Sequence, residues 1–320
     1  VIATLRLAGP PLLALLAACT VVPEVEERQP APEQVVQPIP TPAPVPTSSP
    51  TPPPTPSKAA AAPAGPTTFL FEGALEQGGW MRGQAPAGTI SAKLGEEPLK
   101  LDAEGRFFAA FDRDAGPETE LVATLADGQL IRSPVAIKPR AWNLEHINAP
   151  LRPGGASSEA FMRIRSPELD RIWAAREKVT DAQGWRQDFI WPVTGRISGR
   201  FGAQRIYQGQ PGSYHTGLDI APGAGTPFVA PADGVVVLAA KDEAFSLEGH
   251  LLIIDHGQGL NSAFLHAQRL DVVEGELVTQ GQQLGLIGAT GRVTGPHLHW
   301  SMKWHNGARL DPLLFLGPMP

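Results

Sequence analysis

The sequence predicts an all-β protein with a single helical connector. Short apolar runs alternate with turn signals from residue 67 to 138 and again from 191 to 316. Pairs such as Asp233-Gly234, His256-Gly257 and Glu274-Gly275 punctuate the second stretch, and no helix-length periodic run interrupts it. The one helical pattern lies between the two stretches, near residues 159–179. The expected architecture is a C-terminal compact antiparallel β-sheet domain, preceded by a small β-sandwich and a connector helix.

Composition limits the partners. The 320-residue chain has a formal net charge of −6 and no run of lysines or arginines. Nucleic acids and anionic membrane surfaces need basic patches, so no nucleic-acid partner is expected. The single cysteine, Cys19, excludes an internal disulfide.

In order along the chain, residues 1–18 read as an export signal. Arg6 precedes an apolar stretch that ends in Leu16-Ala17-Ala18-Cys19. The stretch is shorter than the roughly 20 residues a membrane span needs. Leu-Ala-Ala-Cys resembles a bacterial lipobox, which implies cleavage before Cys19 and acylation there, and so a membrane anchor. An ordinary cleaved signal with an incidental cysteine is the competing reading. Thr20, in place of an acidic residue, implies outer-membrane sorting by the same resemblance. Residues 19–66 form a lipid-anchored linker that holds nearly half of the 34 prolines. Proline removes donors and fixes φ, so the linker is an extended spacer. At about 3.1 Å per residue it reaches on the order of 100 Å.

Residues 67–140 carry runs such as Thr89-Ile90-Ser91-Ala92-Lys93-Leu94 and Glu120-Leu121-Val122-Ala123-Thr124-Leu125, the pattern of a small β-sandwich. No histidine or acid cluster marks a site there, so it reads as a spacer or a binding module. Residues 141–190 form the connector. Phe161, Ile164, Leu169, Ile172, Trp173 and Val179 are expected on a packed face, with Ser166-Pro167 as the helix start. The charged residues between them, including Arg165, Glu168 and Arg176, are expected in solvent.

The chemistry concentrates after residue 200. Gly295-Pro296-His297-Leu298-His299-Trp300 places two imidazoles two residues apart, and an extended strand turns both to one side. Upstream lie His215 and Asp219, and between them and this run lies His266. His215, Asp219 and His299 offer two nitrogens and one oxygen, the donor set of a catalytic Zn2+ site that keeps one position open. Such an ion lowers the pKa of a bound water from about 16 to about 7. His266 and His297 are then free to move protons. A closed structural site is the competing reading, but it takes four ligands and usually cysteines. His256 reads as a structural hydrogen-bonding residue, and Trp300 and Trp304 as core or groove wall.

These motifs resemble the LytM/lysostaphin-type zinc metallo-endopeptidases, which cut peptide bridges of bacterial peptidoglycan. The resemblance runs over roughly residues 192–312, within an expected metallo-endopeptidase domain of residues 191–316. It includes Gly195-Arg196-Ile197-Ser198-Gly199-Arg200-Phe201-Gly202, His215-x-x-x-Asp219, Ile254-Asp255-His256-Gly257 and Gly291-Arg292-Val293-Thr294-Gly295-Pro296-His297-Leu298-His299. It implies His215, Asp219 and His299 as zinc ligands and His266 and His297 as catalytic histidines. Phe264 stands where the family pattern leads one to expect tyrosine, and the lost hydroxyl is expected to alter substrate contacts without removing the metal. The implied partners are peptidoglycan peptides and the membrane, with room for a regulatory protein. The implied place is the cell envelope, in the periplasm. Some relatives of this kind only activate an amidase, and a wall-binding tether is a further alternative; all five positions retained here favour hydrolysis.

Overall fold

Turn glycines and short apolar runs give a chain of strands in the structure, a computed structural model that describes residues 65–151, 158–305 and 307–320. The expected signal, the proline-rich linker and Cys19 lie outside the described residues. Seven strands come first: β1 (Leu70–Ala74), β2 (Trp80–Gln84), β3 (Thr89–Leu94), β4 (Glu97–Leu99), β5 (Arg106–Ala110), β6 (Glu118–Leu125) and β7 (Leu130–Ala136). They form two antiparallel sheets, β1-β2-β5 and β4-β3-β6-β7. Met81, Phe107, Phe108 and Leu121 fill the core there.

β8 (Leu144–Ile147) leads to α1 (Glu159–Glu177). Twelve strands follow: β9 (Arg196–Gly199), β10 (Gln204–Tyr207), β11 (Gln210–Tyr214), β12 (Leu218–Ala221), β13 (Pro227–Val229), β14 (Gly234–Ala239), β15 (His250–Gly257), β16 (Leu260–Leu270), β17 (Leu277–Val278), β18 (Gln283–Ile287), β19 (Leu298–Trp304) and β20 (Arg309–Leu310). β8, β10 and β11 make a three-stranded sheet, with β8 parallel to β10. The others make a ten-stranded sheet with the path β17-β14-β15-β16-β19-β12-β9, its pairs antiparallel.

The central strands are apolar on both faces, and the packing shows why. Leu252, Ile254, Leu260, Phe264, Leu298 and Trp300 face the main core. Leu251, Ile253 and Ala263 face the other way, under Ile172 and Ala175 of α1. A strand covered on both sides loses the alternation of a half-buried one.

The helix corrects three expectations. It begins at Glu159, capped by Ser158, whose hydroxyl accepts from the Phe161 N–H, and Pro167 sits inside it. Ile164 and Trp173 are exposed, and Val179 lies beyond the helix, also exposed. Only Ile172 of the expected face is fully buried. Instead, the charged side docks. Arg165 is buried, its guanidinium paired with both carboxylate oxygens of Glu248 at 2.6 Å and with Glu168 at 2.9 Å. Glu168 in turn accepts from the backbone N–H and hydroxyl of Ser246, both at 2.6 Å.

The first two sheets do not stand apart. Trp80 stacks on Phe315 at 5.1 Å, its indole N–H donates to the Leu314 carbonyl at 2.9 Å, and Phe108 stacks on the same Phe315. Arg140 pairs with Asp311 at 2.8 Å.

Candidate metal centre

Two strands and one loop build the site. β12 pairs antiparallel with β19, with Asp219 opposite His299. His215 lies just before β12, so the His215–Asp219 spacing spans a loop and a strand rather than a helical turn. His299 Nδ1 lies 2.8 Å from Asp219 Oδ1, His215 Nε2 lies 3.1 Å from the same oxygen, and the two nitrogens are 3.2 Å apart. One ligand atom from each of the three residues lies within 4.8 Å of the others.

The backbone fixes how these rings present themselves. His215 Nδ1 meets the Arg200 carbonyl at 3.0 Å. A carbonyl only accepts, so Nδ1 carries the proton and the Nε2 lone pair faces inward. Space is made by glycine. A Cβ on Gly217 would meet the Trp300 carbonyl oxygen at 2.5 Å and His299 Nε2 at 2.8 Å. A Cβ on Gly199 would collide with Asp219 Oδ2. Burial works against the Asp219 charge, yet the His215 and His299 rings hold its carboxyl well below the usual range. Asp219 is therefore an anion between two imidazoles. Two nitrogens and one carboxylate oxygen in this grouping fit a divalent zinc ion.

The structure brings the other two histidines to the same place. His297 Nε2 lies 3.7 Å from Asp219 Oδ1, and the His266 and His297 rings are 5.1 Å apart. His297 Nδ1 meets the Gly295 carbonyl at 2.9 Å, and His266 Nδ1 meets the Thr290 carbonyl at 2.9 Å. By the same argument both rings carry Nδ1–H and leave Nε2 with a free lone pair. Burial pushes His266 down to about 4, so it is neutral near pH 7. Its backbone is left-handed, with φ of 66°, a conformation that costs a non-glycine residue energy and aims the ring out of the regular alternation of β16.

The remaining expectations divide. His256 is fully buried with two partners, the Asp233 carbonyl at 2.7 Å and Ser262 Oγ at 2.8 Å. Trp300 and Trp304 are core. Phe264 is also core, stacked 6.3 Å from Trp300, so it faces away from the groove and the expected effect on substrate contacts does not follow. Sequence reasoning missed Arg165 and Arg176, which it set in solvent, as groove residues. The Arg165–Glu168 spacing was the available signal, since a helix brings such a pair together.

Residues 213–312, which bracket all five positions, match Peptidase family M23. The chain is 38% identical over 108 residues to the peptidoglycan DD-endopeptidase ShyA of Vibrio cholerae, a match covering 33% of this chain and 24% of that protein. It is 34% identical over 133 residues to the cell division protein DipM of Caulobacter vibrioides, covering 40% of this chain and 21% of DipM. The chain therefore spans about a quarter or less of the length of these relatives. Among solved structures, a candidate M23 peptidase from Pseudomonas aeruginosa aligns with a TM-score of 0.56 and 26% identity, over 77% of this chain and 96% of that one.

Proposed function

Because residues 213–312 match Peptidase family M23, we propose that the chain is a zinc endopeptidase that hydrolyses peptide cross-links of bacterial peptidoglycan in the cell envelope. The observation that carries this is the meeting of the His215, Asp219 and His299 ligand atoms beside the two free Nε2 atoms of His266 and His297. His215, Asp219 and His299 would hold the zinc ion, which would supply a Lewis acid for activating water near neutral pH and polarising the scissile carbonyl. His266 and His297 do the proton work. Their Nε2 lone pairs take a proton from the attacking water and return it to the departing amine. The Thr290 and Gly295 carbonyls keep each ring in the tautomer this needs. Neutral His266 is a proton acceptor across the physiological range.

Cys19 is proposed as the lipidation site and the proline-rich segment as the spacer that lets the groove reach the polymer. The zinc ligands His215, Asp219 and His299, and the proton-moving pair His266 and His297, are proposed in those roles together. The test is direct. Purified protein is analysed for zinc and incubated with isolated wall, and the products are read by mass spectrometry. Chelator-sensitive release of cleaved peptides is expected, lost in His215→Ala together with zinc. In His297→Ala, zinc is expected to stay while release falls by at least about a hundredfold. Zinc binding with no peptide release from any wall would overturn hydrolysis in favour of an amidase activator.

A further inference from the structure

Beside the metal centre, α1 and the outer face of the sheet enclose a cavity of about 500 Å3 that His299 borders. Four cations line it; Arg165 is already paired with Glu168 and Glu248, and three others come from three elements: Arg176 from the last turn of α1, Lys303 from β19 and Arg309 from β20. The strand pattern accounts for the gathering. His299, Ser301 and Lys303 share one face of β19, and β20 pairs with β19 so that Arg309 stands opposite Lys303.

Among the described residues, none of the three cations has a carboxylate within ion-pair distance. Arg176 donates to the neutral Asn261 Oδ1 at 2.5 Å, and Arg309 donates to the Tyr214 hydroxyl at 3.3 Å. Of the nearby acids, Glu248 is already held by both arms of Arg165, and Asp112 accepts from the Arg309 backbone N–H at 3.4 Å rather than from its guanidinium. Burial first, and then the neighbouring guanidiniums, push Lys303 down to about 8. Burial and Arg309 push Arg176 down to about 10. Half-buried positive charge without a counter-charge is costly, and an incoming anion relieves that cost.

We propose that this cavity is a carboxylate-binding subsite, in which Lys303, Arg176 and Arg309 hold an acidic group of the peptide substrate. The ligand's being a peptide rests on the peptidase reading; its charge rests on the cavity. Lys303 follows His299 by four residues along β19, a rise of about 13 Å. An extended peptide spans that distance in about four residues. The recognised carboxylate therefore lies some three or four residues from the bond that is cut, which makes the site a ruler for charge as well as a binding pocket.

The test reads binding without hydrolysis. The full-length protein is held in chelator and titrated calorimetrically with two synthetic wall-type peptides. These are identical except that one has free carboxylates and the other has them amidated. The acidic peptide is expected to bind at least about tenfold more tightly. Lys303→Gln and Arg309→Gln each remove most of that preference, while Lys303→Arg, which keeps the charge, retains it. Equal affinity of the two peptides for the natural protein would overturn the proposal. So would an equal weakening of both by Lys303→Gln, or inorganic phosphate displacing the acidic peptide at lower concentration than acetate does. Because no cleavage is read, failure of the zinc assay would remove the peptidase reading and leave this preference standing.

Discussion

Gly217 shows how much of a metal centre is decided by an atom that is missing. Its place beside His299 leaves no room for a methyl group, which would strike the Trp300 carbonyl and the His299 ring. Gly217→Ala must shift His299 by a few tenths of an ångström or more. Supporting positions of this kind typically matter by about ten- to a hundredfold in metal affinity. A loss of at least about tenfold in zinc affinity is expected, measured by competition with a chromogenic chelator, with the fold retained by circular dichroism. His256 carries a different residue-scale prediction. Its Nδ1–H donates to the Asp233 carbonyl, and its Nε2 accepts from the Ser262 hydroxyl, whose oxygen accepts from the Trp300 indole at 3.0 Å. Every member is satisfied only while the ring is neutral. Burial pushes its pKa from 6.5 down to about 4. In the unfolded chain the ring takes up a proton near the ordinary value, and in the folded chain it does not until pH falls much further. The unfolded state therefore binds more protons between those values, and stability rises with pH across that window. The contribution is present above about pH 6.5 and is lost as pH falls toward about 4, on the order of 3 kcal/mol. Urea melts at stepped pH check this. His256→Phe is expected to be less stable at neutral pH and to show a flatter pH slope in that window; an unchanged slope would count against the account.

At the scale of elements, α1 is held by charge where its sequence suggests grease. The docked surface is Arg165, Glu168 and Arg176 together with Ile172 and Ala175, while Ile164 and Trp173 face solvent. A reading of periodicity sorts residues by polarity, so it assigns the wrong side to a helix whose polar residues find partners on another element. Glu248, the main partner, lies in a distant loop, and nothing local in the sequence identifies it. The strands were readable for the converse reason. β14, β15 and β18 are defined by short apolar runs and flanking turns, and both signals are local. Arg165→Ala would strand two largely buried carboxylates. Removing one partner of such a pair costs more than the pair contributes, about 3 kcal/mol here. The double variant Arg165→Ala/Glu248→Ala should lose less than the sum of the two single losses, by at least about 1 kcal/mol, because the second change removes the stranded charge. Chemical denaturation of the four proteins checks this; strict additivity would mean that α1 is held by Ile172 and Ala175 alone.

For the whole molecule, the same contrast separates what was legible from what was not. That His215, Asp219, His266, His297 and His299 gather at one place was legible from their residue types and motif spacing, and the pairing of β12 with β19 is what brings the distant motifs together. The union of the first two sheets with the later strands was not readable, since it depends on aromatic contacts between residues more than two hundred positions apart. Trp80, Phe108 and Phe315 stack in one group, Phe189 packs on the same Phe315 at 5.2 Å, and Arg82 reaches across to the Arg186 and Gln187 carbonyls. The buried residues of the first sheets and those behind the metal centre form one continuous cluster. A shared core makes a shared transition: neither part can expose its aromatic face without costing the other its packing. Calorimetry of the natural protein is expected to show one unfolding peak for both parts. Trp80→Ala removes the stacking partner and leaves the Leu314 carbonyl without its donor, a loss of about 2 to 3 kcal/mol for a half-buried tryptophan. Since the junction alone is weakened, the single peak should broaden or split, with the first sheets melting at the lower temperature. The metal centre, on the other side of the junction, should then keep its zinc through the first transition. Two resolved peaks already present in the natural protein would show that the aromatic group joins the parts in space without coupling their stability.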